Sequence, residues 1–197
     1  MRAKAAGNKP PPPLYQIKVT LKGIKPPIWR RLLISGDTRL DELHDVLQTV
    51  MGWDDSHLHQ FRRGRELIGV RDRRDPFGSD VTDERKLSLS AALPAVKSKL
   101  LYDYDFGDGW EHELVVEKIL PPDSSAEAPR CLAGKRACPP EDCGGVWGYA
   151  DLLEAISDPS HPQREGQLEW LGDEFDPEAF EPEIVNAGLR ARRSARR

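Results

Sequence analysis

No apolar run in this chain of 197 residues approaches the roughly 18 residues that a membrane span requires. An N-terminal apolar signal core is also missing, so a cytoplasmic location and no membrane partner are expected. Cysteine is scarce. Three residues, Cys131, Cys138 and Cys143, do not frame a disulfide-stapled fold, and a reducing compartment would keep them as thiols. Excess positive charge is absent as well. The net charge of −4 removes any global electrostatic case for nucleic acid, so no tight nucleic-acid binding is expected. There is no G-x-S-x-G elbow, no C-x-x-C knuckle and no glycine-rich loop ending in Lys-Ser/Thr. We find no internal repeat.

What remains fits a globular protein, with 38% hydrophobic residues. Residues 1–13, MRAKAAGNKPPPP, read as a disordered tail, 14–189 as a single domain and 190–197 as a basic disordered tail. Tyr15, Ile17, Val19 and Leu21 alternate with polar residues, the period of a half-buried strand. Ile28–Ile34 reads as its partner. A helix follows over 39–51, with Leu40, Leu43, Leu47 and Val50 as its stripe, Thr38 as N-cap and Gly52 at its end. A short hairpin turns at Gly64. His57 and His59 lie two apart and would share a strand face, a pair that does not by itself make a metal site. Residues 71–86 read as a mobile surface loop, 87–93 as a short helix or turn, and 121–146 as loop. Three helices close the chain, the last opening at Asp176-Pro177 and ending near Gly188. This order implies an α+β fold. Its sheet is mixed or mainly antiparallel, with an early helix, a helical C-terminal part and a core compatible with a β-grasp.

The densest chemistry lies in 100–120, LLYDYDFGDGWEHELVVEKIL. Gly107-Asp108-Gly109 is a turn signal between two strand patterns. A loop of those three residues pairs Phe106 with Trp110, Tyr104 with His112 and Tyr102 with Leu114, stacking aromatics on one face. The other face then opposes Asp105 to Glu111 and Asp103 to Glu113. Like charges across a sheet repel, so these carboxylates require arginine, open solvent or a bound cation. An EF-hand is excluded, because glycine occupies the fifth position instead of the sixth and a strand follows.

All three cysteines sit in CLAGKRACPPEDCGGVWGY, next to that hairpin. Three thiolates and one imidazole make a tetrahedral zinc site, with Cys131, Cys138, Cys143 and His112 as the candidate ligands. The alternative is three separate buried thiols. Gly144, Gly145 and Gly148 bend the chain into a helix.

The segments YQIKVTLKGIKPPIWRRLLI, LDELHDVLQTVMGWDDSHLHQF, YDYDFGDGWEHELVVE, CPPEDCGGVWGY and LGDEFDPEAF occur in this order. Together they resemble the Ri-plasmid open-reading-frame-three-like family, also labelled insertion-sequence passenger TnpR proteins. The resemblance runs from about Tyr15 to Leu189. It implies an α+β domain of bacteria and archaea, often carried on plasmids or mobile elements, without an assigned chemistry. By that resemblance the signature residues include Trp29, Asp105, Gly107, Asp108, Trp110, His112, Pro139, Asp142, Gly144, Gly145 and Tyr149. The TnpR label suggests a resolvase, but the chain has neither a catalytic-serine recombinase pattern nor a helix-turn-helix with a basic recognition helix.

The resulting expectation is an accessory or binding module linked to plasmids and mobile elements, not an enzyme. It would bind a protein or a small molecule through Asp105, Asp108, Trp110, His112 and Tyr149. The alternative is a metal-dependent hydrolase acting on phosphoesters, with the hairpin acids and His112 as ligands.

Overall fold

Alternating burial builds one sheet from eight segments: β1 (Leu14–Leu21), β2 (Trp29–Ser35), β3 (His59–Arg63), β4 (Glu66–Gly69), β5 (Val81–Asp83), β6 (Lys99–Tyr104), β7 (Trp110–Leu120) and β8 (Arg130–Lys135). The computed structural model describes residues 10–70, 80–123, 125–172 and 175–195. Strand order is β5-β4-β3-β6-β7-β1-β2-β8. Neighbours are antiparallel except β4 and β5, which run parallel. Among the described residues, five α-helices accompany the sheet: α1 (Leu40–Met51), α2 (Leu89–Ala92), α3 (Gly145–Ser157), α4 (Arg164–Leu171) and α5 (Pro182–Ala195). The fold class is α+β, and none of the described helices is long and apolar enough to cross a membrane.

The β1 alternation holds, with Tyr15, Ile17, Val19 and Leu21 buried. They join the α1 stripe of Leu40, Leu43, Leu47 and Val50 in a single hydrophobic cluster. Helix α1 is capped by Arg39 instead of Thr38, with Glu42 returning to the Arg39 N–H. Gly52 ends it at φ 87°, a left-handed conformation that glycine adopts at no steric cost.

The core includes polar groups held by specific partners. His44 lies between the Tyr102 hydroxyl at 2.8 Å and Asp55 at 2.7 Å, and Gln48 donates to the same hydroxyl. His59 stacks on His44 with ring centroids 3.5 Å apart and meets Glu84 at 2.9 Å. Arg30 is buried with no carboxylate partner among the described residues. It donates to the carbonyls of Val50, Trp29 and Lys135 and to the Cys138 sulfur, and it packs on the Phe180 ring. These bonds satisfy a guanidinium that would otherwise be costly to bury.

Some expected elements differ. Strand β8 falls within the 121–146 segment read as loop, and β5 lies in the 71–86 segment. Residues 71–79 of that segment lie outside the described residues, as do 1–9 of the N-terminal tail. The last helix begins at Pro182, not at Asp176-Pro177. Asp176 instead closes a turn, accepting from the Glu178 and Ala179 N–H groups. A helix begun at Pro177 would carry Pro182 in its interior, where a missing donor and a ring clash break helices. Gly188 does not stop α5, which runs on to Ala195; there it approaches Thr49 of α1, and Arg192 binds Asp45. The first six residues of the expected basic tail are therefore helical.

Candidate functional site at the hairpin tip

The β6–β7 register pairs Tyr104 with Trp110, Tyr102 with His112 and Asp103 with Glu111. This is two residues away from the register expected from a Gly107-Asp108-Gly109 loop. Because side chains alternate with period two, the faces survive the shift: Tyr102, Tyr104, Trp110 and His112 are all buried together, while Phe106 is exposed. The opposing carboxylates on the outer face are Asp103 and Glu111, and Arg62 of β3 bridges both. Lys22 also reaches Glu111, and Lys99 reaches Glu113. Arginine and lysine thus supply the required counter-charge, and Glu111 sits below its ordinary pKa because of Lys22 and Arg62.

Asp105 leaves the charged face. Its backbone turns to φ 53° and ends the strand. One carboxylate oxygen accepts from the N–H groups of Gly107 at 2.9 Å and Asp108 at 3.3 Å. The Gly109 N–H closes the turn on the Asp105 carbonyl at 2.6 Å. Asp108 points the other way and accepts from the Gly144 N–H at 3.1 Å. A carboxylate there also complements the positive end of the α3 dipole.

Of the three glycines of the loop, two are explained by close approach and Gly144 by its left-handed φ of 88°. A Cβ on Gly145 would lie 2.4 Å from the Asp108 carbonyl, and one on Gly148 would lie 1.9 Å from the Cys143 carbonyl. We expect Gly148→Ala to cost about 2 kcal/mol, since backbone must move to admit one methyl group. A denaturant melt measures this, and an unchanged midpoint would mean that the loop is not held against α3.

Behind the tip stands an aromatic wall. Trp53 lies 4.9 Å from Tyr104, 6.1 Å from Trp110 and 5.2 Å from His112, measured between ring centroids. Its indole N–H donates to the Pro139 carbonyl, and the Tyr104 hydroxyl donates to Glu141 at 2.8 Å. Both bonds pin the Pro139–Cys143 segment to the sheet. Burial raises the Glu141 pKa, and its second carboxylate oxygen is buried without a partner among the described residues.

In front of this wall three segments meet. His57 Nε2 lies 3.1 Å from an Asp142 oxygen and 3.7 Å from Asp105 Oδ2. Neither contact has hydrogen-bond geometry, although the nitrogen is shielded from solvent. Asp105 is buried, whereas the Asp142 side chain is 70% exposed and opens the cluster outward. The three residues can offer one ligand atom each within 4.8 Å of one another. A second such group, His44, Asp45 and Asp55, is less suited, because both nitrogens of His44 already have partners.

The residues expected to form the site are thus distributed. Asp105 and Asp108 lie at the hairpin tip. Trp110, His112 and Tyr149 are in the core and present no surface to a ligand. Cys131, Cys138, Cys143 and His112 are not assembled as ligands, since neither close group contains any of them. Cys131 is held in β8, Cys138 lies against Arg30 and Met51, and His112 lies among aromatic rings. Burial pushes the Cys138 thiol up to about 11, and burial with Asp108 pushes Cys143 up to about 12, both unfavourable for thiolate ligands. His57 was passed over because its acids, Asp105 and Asp142, are remote in sequence. Trp53 and Glu141 gave no local signal.

A family model described as plasmid pRiA4b ORF-3-like protein matches residues 13–184. The uncharacterized protein y4hQ of Sinorhizobium fredii (strain NBRC 101917 / NGR234) is 41% identical over 160 residues, covering 81% of each chain. A crystal structure of the protein of unknown function MM3350 from Methanosarcina mazei Go1 superposes with a TM-score of 0.79 at 40% identity. That match covers 87% of this chain and 97% of the other. The family model spans most of the chain and the relative is 41% identical over 81% of each chain, so the chain belongs to the plasmid pRiA4b ORF-3-like family.

Proposed function

We propose that this chain is a binding module, linked to plasmids and mobile elements, that holds a divalent cation where the hairpin tip meets the Cys/Gly loop. His57, Asp105 and Asp142 are the ligands. The observation that carries this reading is the shielded His57 Nε2, poised between two carboxylates yet hydrogen-bonded to neither. An imidazole nitrogen within 3.7 Å of two carboxylates, with a hydrogen bond to neither, is a geometry that a cation between them would satisfy. The left-handed backbone at Asp105 (φ 53°) and Asp142 (φ 56°) adds support, since such strain persists where surrounding structure enforces it. One imidazole with two carboxylates suits manganese, iron(II) or zinc better than calcium.

Calorimetric titration with Mn²⁺ and Zn²⁺ tests this. One site per chain is expected, and His57→Ala and Asp142→Asn should each weaken it by about tenfold or more. Wild-type protein that takes up neither ion would sink the proposal. A second reading, metal-dependent phosphoester hydrolysis, draws on Glu141, which is one residue from Asp142 and has its second carboxylate oxygen buried without a partner among the described residues. Release of phosphate from a simple aryl phosphate, dependent on both Mn²⁺ and Glu141, would favour it.

A further inference from the structure

Building on that cation site, we propose that the adjacent cleft takes a nucleoside 5′-phosphate, its phosphate on the cation and its base against Trp170. The cleft has a volume of about 450 Å³ and lies between the Cys/Gly loop and α4. That is within the range of small-molecule sites. Asp142 belongs to both places: it lines the cleft and stands 3.1 Å from His57 Nε2. His57 and Asp105 lie outside the cleft lining, so a cation held by Asp142 would stand at the cleft's edge, where a ligand's phosphate could meet it.

The lining specifies the ligand's chemistry. It contains no lysine or arginine, and its one formal charge is the Asp142 carboxylate. An anion is repelled there unless a cation intervenes, so binding of a phosphate must depend on the metal. Gln163 and Gln167 stand four residues apart, on one face at the start of α4. Neither side-chain amide has a hydrogen-bond partner among the described residues. Each offers a donor and an acceptor, the complement of the polar edge of a heterocycle. Trp170, 49% exposed, supplies a flat apolar surface beside them. Planar ring, polar edge and metal-seeking anion together describe a nucleotide.

Gly166 provides a blocking variant. It lines the cleft, its φ is ordinary and nothing lies within 4 Å of a Cβ placed there. Gly166→Phe should fill the cleft without touching the cation ligands or the core. Calorimetry with AMP and GMP is run with and without Mn²⁺, beside adenosine and guanosine. A single-stranded oligonucleotide carrying a 5′-phosphate is included to tell a free nucleotide from a strand end. Binding of either phosphate ligand only with Mn²⁺, about tenfold or more tighter than the nucleosides, is the expected result. Gly166→Phe and Trp170→Ala should each abolish it and leave Mn²⁺ affinity unchanged. If Mn²⁺ binds but no phosphate ligand follows, the nucleotide is ruled out, and if Gly166→Phe binds nucleotide as wild type does, the cleft is ruled out as its seat; in both cases the cation module stands. If Mn²⁺ itself does not bind, both fall.

Discussion

Trp110→Ala is expected to be the most destabilising single substitution in the hairpin, at about 3–5 kcal/mol. The ring is fully buried, pairs across the strands with Tyr104 and stacks near Trp53. Its removal leaves a cavity at the point where the sheet, the Trp53 loop and the Pro139–Cys143 segment converge. Trp110→Phe should cost much less, because it keeps most of the ring. It also removes an indole N–H that is buried with no partner among the described residues. Trp170→Ala, on a half-exposed residue, should change stability by no more than about 0.5 kcal/mol. Denaturant midpoints for the three variants are the measurement. Trp110→Ala melting with wild type would show that the ring does no packing.

The second large effect is on acid stability. His112 is fully buried, and burial pushes its imidazole down to about 4. Its Nδ1–H donates to the Tyr102 carbonyl at 3.2 Å, so Nε2 carries no proton and has no partner among the described residues. The unfolded chain takes up this proton near the ordinary histidine value of about 6.5, and the folded chain does not. The stability associated with neutral His112 is therefore complete above about 6.5 and is lost as pH falls towards 4. The loss is on the order of 3 kcal/mol, from about 1.4 kcal/mol for each unit of difference. His44 is also lowered by burial and contributes to the same acid limb. His112→Phe should flatten that limb without removing it. Unfolding free energies measured from pH 7 to pH 4 decide the point, and identical slopes for variant and wild type would refute it.

The periodic elements were legible because their information is local. Tyr15 to Leu21 alternates, Leu40 to Val50 recurs at helical spacing, and the Tyr102–Leu114 segments name their own buried face. From those patterns alone follow the α+β class, the hairpin and the buried aromatic stack. The start of α5 was not legible, because Asp176-Pro177 presents an N-cap and first-turn proline five residues before the observed start at Pro182. Strand β8 was not, because few of its residues are buried: it is an edge strand with Cys131 inward and both ends exposed.

The sequence by itself determined which residues turn inward and that a carboxylate-rich turn joins two aromatic strands. It did not determine the register, since a slide of two residues leaves every side chain on its own face. Tertiary structure decided that slide through the Asp105 turn, and with it that Asp105 leaves the charged face to meet His57. It also decided that the cysteines stay apart and that an imidazole and two carboxylates come together instead. His57, Asp105 and Asp142 belong to three segments, each with its own local pattern, and no periodicity links them. Only the packing of the Trp53 loop, the hairpin tip and the glycine loop against one aromatic wall brings them within reach of a single ion.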